Sequence, residues 1–158
     1  MAEYQIQQSP RRNTGGINVP VPSYKQGQWT PTLDFVGDTG DPTYVRNVAS
    51  FVKIGPVVHM EGHFQLSALN GATGGARILG SPFTKTNDFT RAQGSVVWSN
   101  MATAMTNMTV HMTDGSSVIF LYGATTTGAT TLAMADAARF QDNSLIWFSL
   151  TFFTSEIP

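Results

Sequence analysis

The sequence predicts an all-β fold of antiparallel strands, a β-sandwich or jelly roll with one short helical turn, preceded by an extended N-terminal arm. Charged residues make up 12% of the 158 residues, against ~25% in a typical globular domain. The chain is instead rich in threonine, which favours strands, and it has 15 glycines, which suit turns. Short apolar runs recur between clusters of turn residues, a pattern typical of sandwiches and jelly rolls.

The clearest predicted strand follows the turn Ile54-Gly55-Pro56. Successive side chains of a strand point to opposite sides, so alternating residue types indicate one buried and one polar face. The apolar side carries, around a gap at Gly62, the residues Val58, Met60, Phe64 and Leu66. The polar side carries His59, Glu61, His63 and Gln65.

Residues 1–26 differ in composition from the rest of the chain. They contain Gln, Pro and Gly with few apolar residues, so they cannot form a core of their own. We predict an arm over residues 1–26 and a β-sandwich domain over residues 27–158, with a disordered leader as the alternative interpretation of the arm. The residues that suit docking of the arm on another protein are the alternating Ile17, Val19 and Val21 and the basic pair Arg11 and Arg12.

The remaining strands follow in order along the predicted domain. Residues 28–36 form the first one, and Pro31 places it at an edge or a bulge. Further strands are predicted at 44–53, 57–67, 76–79, 95–99, 108–113 and 117–122. Asp114-Gly115 indicates a hairpin between the last two. An alanine-rich stretch, residues 132–140, predicts the short helical turn.

The final predicted strand, residues 143–154, is apolar on both sides. A strand of this kind is expected at the centre of a protein or at a contact between subunits. The residues assigned to the core or to a subunit contact are Trp147, Phe148, Phe152 and Phe153.

Composition excludes several classes of function. The net charge is −1 and the basic residues are scattered, so nucleic acid is not an expected partner. The absence of cysteine excludes disulfides and thiolate metal sites. No run reaches the ~18 apolar residues that cross a bilayer, and no signal-peptide core follows Met1. We therefore expect a protein made in a cytoplasm, without membrane insertion.

No set of residues predicts an enzyme. The chain lacks Gly-x-Ser-x-Gly and a glycine-rich phosphate loop followed by lysine, and no nucleophile–base pair can be named. His59, Glu61 and His63 share one side of a strand, a spacing that suits a divalent metal. Polar residues on an exposed strand face are the commoner interpretation. We predict no cofactor and no metal site, and we keep these three residues as weak metal candidates.

Three short motifs occur in a recognisable order. GQWTPTLDF, from Gly27, is followed by KIGPVV, from Lys53, and by GGARILGSPFT, from Gly74. In this order they resemble a module of tailed bacteriophages, which occurs at the distal ends of tail fibres and tailspikes and in small virion surface proteins. The resemblance covers residues 27–154 and depends on Gly27, Trp29, Thr30, Pro31, Leu33, Lys53, Ile54, Gly55, Val58, Ile78, Gly80, Pro82 and Phe83.

The resemblance implies a homotrimeric β-sandwich on the virion surface, attached to a capsid or tail protein through residues 1–26 and made in the host cytoplasm. One expectation is a non-enzymatic short tail fibre or spike that contacts a host glycan. The alternative is a capsid decoration or head-fibre protein with no required ligand. Loop amides and an aromatic ring suit sugar binding, and the candidate glycan contacts are Trp98, Asn70, Asn87 and Asn100.

Overall fold

The computed structural model describes residues 23–37, 40–88, 90–125 and 133–156. This part of the chain contains ten strands and one 3-10 helix, Ala137–Arg139. The strands are β1 (Tyr24–Trp29), β2 (Thr32–Val36), β3 (Thr43–Ile54), β4 (Val57–Ala68), β5 (Gly75–Leu79), β6 (Ala92–Ser99), β7 (Asn107–Met112), β8 (Ile119–Ala124), β9 (Ala133–Met134) and β10 (Leu145–Phe153). The short helical turn predicted within residues 132–140 is confirmed. Its N-cap is Asp136, whose side chain accepts a hydrogen bond from the Ala138 N–H at 2.9 Å.

All the paired strands are antiparallel and belong to one sheet. Their order is β1-β3-β4-β10-β6-β7-β8-β5-β2, and β9 pairs with β8. The prediction of an all-β antiparallel fold is therefore confirmed. The sheet is continuous and curls over its own core, so the two layers expected of a sandwich are parts of the same sheet. Within the described ranges, no helix is long and apolar enough to cross a membrane.

The curling brings opposite ends of the sheet into contact. The Tyr44 hydroxyl of β3 donates to the Leu33 carbonyl of β2 at 2.8 Å and accepts from the Leu33 N–H at 2.9 Å. β2 and β3 lie near opposite ends of the strand order, so this contact requires the sheet to bend back on itself. The edge strands β1 and β2 are also consecutive along the chain, separated by Thr30 and Pro31.

The segment 28–36 forms parts of two strands where the sequence predicted one. The break falls at Thr30-Pro31, between β1 and β2. Proline has no N–H to donate to a neighbouring strand, which explains the interruption. The expected edge position is confirmed for both parts, because β1 and β2 end the strand order on its two sides.

The core contains the inward side chains of the curled sheet. The alternation predicted for β4 is confirmed by the burial of Val58, Met60, Phe64 and Leu66. Phe148 of β10 occupies the gap at Gly62, where an added Cβ would lie 2.3 Å from the Phe148 ring. Phe51 and Phe83 pack edge to face, with ring centroids 4.8 Å apart. The same core cluster includes Leu33 of β2 and Ile78 of β5, so the core joins strands from both halves of the sheet.

Two predicted hairpins are confirmed. β3 and β4 pair as far as Ile54 and Val57, with Gly55-Pro56 between them. Gly55 has a φ of +56°, and a positive φ at the first central residue is what a type II′ turn requires. β7 and β8 form the second hairpin around Asp114-Gly115.

The chain enters β1 and leaves β10 beside the same turn. The Ser23 carbonyl accepts a hydrogen bond from the Gly55 N–H at 2.8 Å. The Thr154 N–H donates to the Pro56 carbonyl, also at 2.8 Å. The β3–β4 turn therefore holds both junctions of the described sheet.

The last strand differs from its prediction. Phe148 and Phe152 of β10 face the core and are each 3% exposed, as expected. Trp147 and Phe153 point to the other side, where they are 42% and 54% exposed. They are not core residues, and a contact between subunits stays the prediction for them. β10 lies centrally, between β4 and β6, but the described part of the chain leaves one side of it uncovered.

A buried lysine fixes the loop that follows Pro82. Lys85 is 2% exposed, and its ammonium donates to Asp88 at 2.6 Å and to Asp114 at 2.7 Å. Burial alone would lower the pKa of Lys85, but the hydrogen bonds and charges of the two carboxylates outweigh it and raise the pKa. The same contact lowers the pKa of Asp88. The loop is thereby tied to the β7–β8 hairpin.

Candidate interaction surface

One side of the sheet carries most of the exposed apolar side chains of the described residues. This outer face consists of the outward side chains of β1, β3, β4, β10 and β6, which are neighbours in that order. The large apolar residues exposed on it are Tyr24, Val48, Ile54, Val57, Val97, Trp147 and Phe153. Monomeric proteins rarely expose extended apolar patches, and such patches mark interaction sites. The outer face is therefore the candidate functional site.

Strand register places four outward residues in a row that we name the Trp147 ridge. Val48 pairs with His63, His63 with Trp147, and Trp147 with Val97. The His63 and Trp147 rings are stacked, with centroids 4.8 Å apart and planes 15° apart. Burial lowers the pKa of His63, and the positive charge of Arg46 lowers it further. Both effects favour the neutral form of this imidazole.

A second row, the Phe153 ridge, lies beside the β3–β4 turn. Tyr24 pairs with Ile54, Ile54 with Val57, and Val57 with Phe153. All four side chains are exposed. Along β3, Ile54 of this ridge is six positions after Val48 of the Trp147 ridge, which is about 20 Å at the rise of a strand.

Two rows of mostly polar side chains, the polar strip, lie between the ridges. The first row consists of Gln28, Ser50, Glu61, Ser149 and Ser95. The second consists of Gln26, Val52, His59 and Thr151. Within the strip, the Ser50 hydroxyl donates to Glu61 at 3.0 Å, and the Ser95 and Ser149 hydroxyls are 2.9 Å apart. Beside the Trp147 ridge the strip forms an open concavity of ≈ 580 Å³.

The three weak metal candidates lie on the outer face, and each has another contact there. His59 is hydrogen-bonded to Thr151 at 2.9 Å, Glu61 accepts from Ser50, and His63 stacks on Trp147. Among the residues that the structure describes, no group of three or more His, Asp or Glu is placed to hold a metal ion.

The four candidate glycan contacts do not form one site. Asn70 and Asn100 both lie in turns with positive φ, near Asp142: the Leu69 N–H donates to the Asp142 side chain, and the Asn100 amide donates to the Asp142 carbonyl. Asn87 is exposed in the loop at the opposite end of β10, where the Thr86 N–H donates to the Phe153 carbonyl.

Trp98, one of the candidate glycan contacts, lies on the inner side of β6. It is half-buried and packs against the core. Its neighbour Val97 points outward into the Trp147 ridge, and successive strand residues face opposite sides. Trp98 is therefore not placed as an open platform for a sugar.

The residues assigned to anchoring lie outside the described part of the chain. They are Arg11, Arg12, Ile17, Val19 and Val21. The structure begins at Ser23, and β1 starts at Tyr24, where it pairs with Ile54 of β3. Residues 24–26 thus belong to the sheet, three residues before the predicted start of the domain.

Comparison with solved structures identifies a similar fold. The crystal structure of the Dettilon tailspike protein matches with a TM-score of 0.66 and 14% sequence identity. The fold is therefore similar to that of part of a phage tailspike. The likeness covers 82% of this chain but only 24% of the tailspike chain. No protein-family model and no curated protein matches the sequence.

The likeness to the tailspike agrees with the resemblance found in the sequence motifs at the level of the β fold. Of the residues in the two ridges, only Trp147, Phe153 and the weak metal candidate His63 were among the predicted site residues. The signal that was missed is the apolar character of Val48, Ile54 and Val97 on the outward sides of their strands.

Proposed function

We propose that this chain is a non-enzymatic structural protein of a tailed-phage virion, a homotrimeric appendage of the tail exposed on the particle surface. The observation that carries the proposal is the fold, which is similar to part of the Dettilon tailspike over 82% of this chain. The phage-module motifs over residues 27–154 support the same class of protein. The exposed apolar outer face supports a protein that works by contacting other proteins.

The part of the predicted arm that precedes the sheet, residues 1–22, is proposed to attach the appendage to another virion protein. Its alternating apolar residues suit docking by strand addition. The basic pair Arg11 and Arg12 suits an acidic partner surface. The sheet begins at the edge strand β1, so a segment that precedes Tyr24 can extend away without interrupting any strand pairing.

The proposed ligand at the exposed end is a host-surface glycan. The turns that carry Asn70 and Asn100 offer amide groups at the end of β10 opposite the chain junctions. Weak binding at each copy would be strengthened by three copies in one appendage.

The location is tested by gold labelling of a tagged copy in purified phage particles, viewed by electron microscopy. We expect label on the tail. Label on the capsid would contradict the tail assignment, and particles without label would contradict the virion role. Deleting residues 2–22, which leaves β1 intact, is expected to remove the label, whereas a matched deletion of residues 126–132 should keep it.

Glycan contact is tested by a glycan array probed with the full-length protein, followed by binding to host cells. We expect binding to at least one host-surface glycan, weakened at least fivefold by Asn100→Ala. Ser67→Ala, a polar residue of β4 away from the Asp142 turns, is the control. No binding to any host surface would contradict the attachment role and leave a purely architectural one.

A further inference from the structure

We propose that Lys53 and Lys25 form a binding site for a small oxyanion, a phosphate or a carboxylate, on the core side of the sheet next to the β3–β4 turn. The two lysines are direct neighbours in the β1–β3 ladder. The site lies on the opposite side of the sheet from the outer face, and it does not depend on the proposed virion role.

Lys53 is a buried cation without a counter-ion among the residues that the structure describes. It is 3% exposed, whereas lysine is almost never fully buried unless it is paired. Its side chain forms no hydrogen bond and no ion pair with any described residue. Removing a charge from water is costly unless a group of opposite charge compensates it. A bound anion would supply that compensation.

The second buried lysine of the described chain shows how such a charge is compensated. Lys85 is 2% exposed, and its ammonium contacts Asp88 at 2.6 Å and Asp114 at 2.7 Å. Lys53 is buried to the same extent but has no carboxylate in this position. The contrast indicates that the second oxyanion contact of Lys53 comes from a ligand.

Lys25 adds a positive charge at the same place. It lies opposite Lys53 in the ladder, and side chains directly opposite each other are about 5 Å apart at Cβ. Both point to the core side, because Lys53 alternates with the outward Ile54, and the Lys25 ammonium lies 5.6 Å from the ring centre of the core residue Phe83. Like charges in opposed positions destabilise a strand pair. An anion that contacts both ammonium groups would turn this repulsion into attraction.

A small ion can reach the Lys53 ammonium. Its nitrogen is not among the polar atoms of the described residues that are sealed from solvent without a partner, so it keeps a narrow opening to solvent. Phosphate and carboxylate each have at least two oxygens, so one ion can accept a charge-assisted hydrogen bond of about 2.8 Å from each lysine.

A carboxylate of the chain, Glu156, lies near the same turn but is committed elsewhere. The Glu156 N–H donates to the hydroxyl of Thr154, whose own N–H donates to the Pro56 carbonyl. The Glu156 side chain is exposed and accepts a hydrogen bond from the Thr84 N–H at 3.0 Å. It forms no ion pair with Lys53.

The first test is isothermal titration calorimetry of the full-length protein with inorganic phosphate and, separately, with acetate, in a HEPES buffer of fixed chloride concentration. We expect saturable one-to-one binding of at least one of these anions, weakened at least tenfold in Lys53→Met. Binding of phosphate alone would identify a phosphoryl ligand, and binding of acetate alone would identify a carboxylate. Arg46→Met removes the same charge from an exposed position of β3 and should bind like the wild type.

The second test is urea unfolding of the same three proteins. Methionine is similar to lysine in volume and carries no charge, so Lys53→Met should be at least as stable as the wild type in the HEPES buffer. The anion that binds should raise the free energy of unfolding of the wild type and of Arg46→Met, because it binds only the folded state. It should not do so for Lys53→Met, whereas a general salt effect would stabilise all three proteins equally.

Three results would overturn the inference: no saturable binding of either anion, equal affinity in Lys53→Met and the wild type, or a Lys53→Met variant that is less stable than the wild type in the HEPES buffer. The last result would show that the Lys53 charge is already compensated within the chain.

Discussion

His111 is buried in β7. It is 5% exposed, and among the described residues neither of its ring nitrogens has a hydrogen-bond partner. The rings of Phe120 and Tyr122 flank it, with centroids 6.4 and 5.2 Å away. Burial lowers the pKa of His111, and the positive charge of Arg91 lowers it further. A neutral imidazole is therefore built into the folded state.

This histidine makes stability depend on pH. The unfolded chain, with a histidine pKa of ~6.5, takes up a proton before the folded chain does. The free energy of unfolding should therefore fall as the pH drops below ~6.5. His111→Phe removes the titrating group and keeps a planar ring, so it should flatten the decline between pH 7 and pH 5, as measured by urea unfolding. Any pH dependence of the free energy of unfolding that remains in this variant is expected from His63, because the pKa of His63 is lowered too. An unchanged profile in His111→Phe would refute the assignment.

At the scale of elements, the pairing of β4 with β10 depends on the missing side chain at Gly62. Gly62 lies opposite Phe148 in the ladder, and the Phe148 ring occupies the space that a Cβ would need. Gly62→Ala should therefore overpack the core and lower the free energy of unfolding by about 1–3 kcal/mol in chemical denaturation.

The matched control is Gly115→Ala. Among the residues that the structure describes, nothing lies within 4 Å of the methyl added there, although Gly115 has a φ of +64°, so only the backbone cost of about 1–2 kcal/mol is expected. Phe148→Leu should reduce the additional cost of Gly62→Ala, because the smaller side chain makes room for the methyl. An equal cost with and without Phe148→Leu would mean that the steric contact is not the cause.

The sequence predicts single elements better than the surface that they form. β4 could be predicted because Val58 and His59 begin a clean alternation within one strand. The Trp147 ridge could not, because Val48, His63 and Val97 come from three strands, and their alignment depends on the register of backbone pairing. The orientation of Trp98 could not be predicted for a related reason: Val97 and Trp98 are both apolar, so the local pattern does not say which one faces outward.

At the scale of the whole molecule, Tyr44 ties the two ends of the curled sheet together. Its hydroxyl satisfies both the N–H and the carbonyl of Leu33. Burial is the main cause that raises the pKa of Tyr44, to about 12. The hydrogen bond with Leu33 lowers this pKa, and the negative charges of Asp34 and Asp41 raise it. The neutral phenol is thus the form that the folded sheet requires.

Tyr44→Phe should lower the free energy of unfolding by about 1–3 kcal/mol at pH 7, because the Leu33 groups lose their partner. The raised pKa adds a second expectation. The unfolded chain releases the phenol proton near pH 10, before the folded chain does, so wild-type stability should fall as the pH rises from 10 to 12. The free energy of unfolding of Tyr44→Phe, measured by guanidinium unfolding, should fall less over the same pH range. A wild-type decline no steeper than that of the variant would show that another group is responsible.

The shared position of the two chain junctions has a practical consequence. Ser23 and Thr154 are both hydrogen-bonded to the β3–β4 turn, and the row from Tyr24 to Phe153 spans only three strand spacings, about 14 Å. We therefore expect that the described sheet can be inserted into a surface loop of an unrelated protein, with one short linker on each side. Neither junction would interrupt a strand, so the inserted domain and the receiving protein should fold independently.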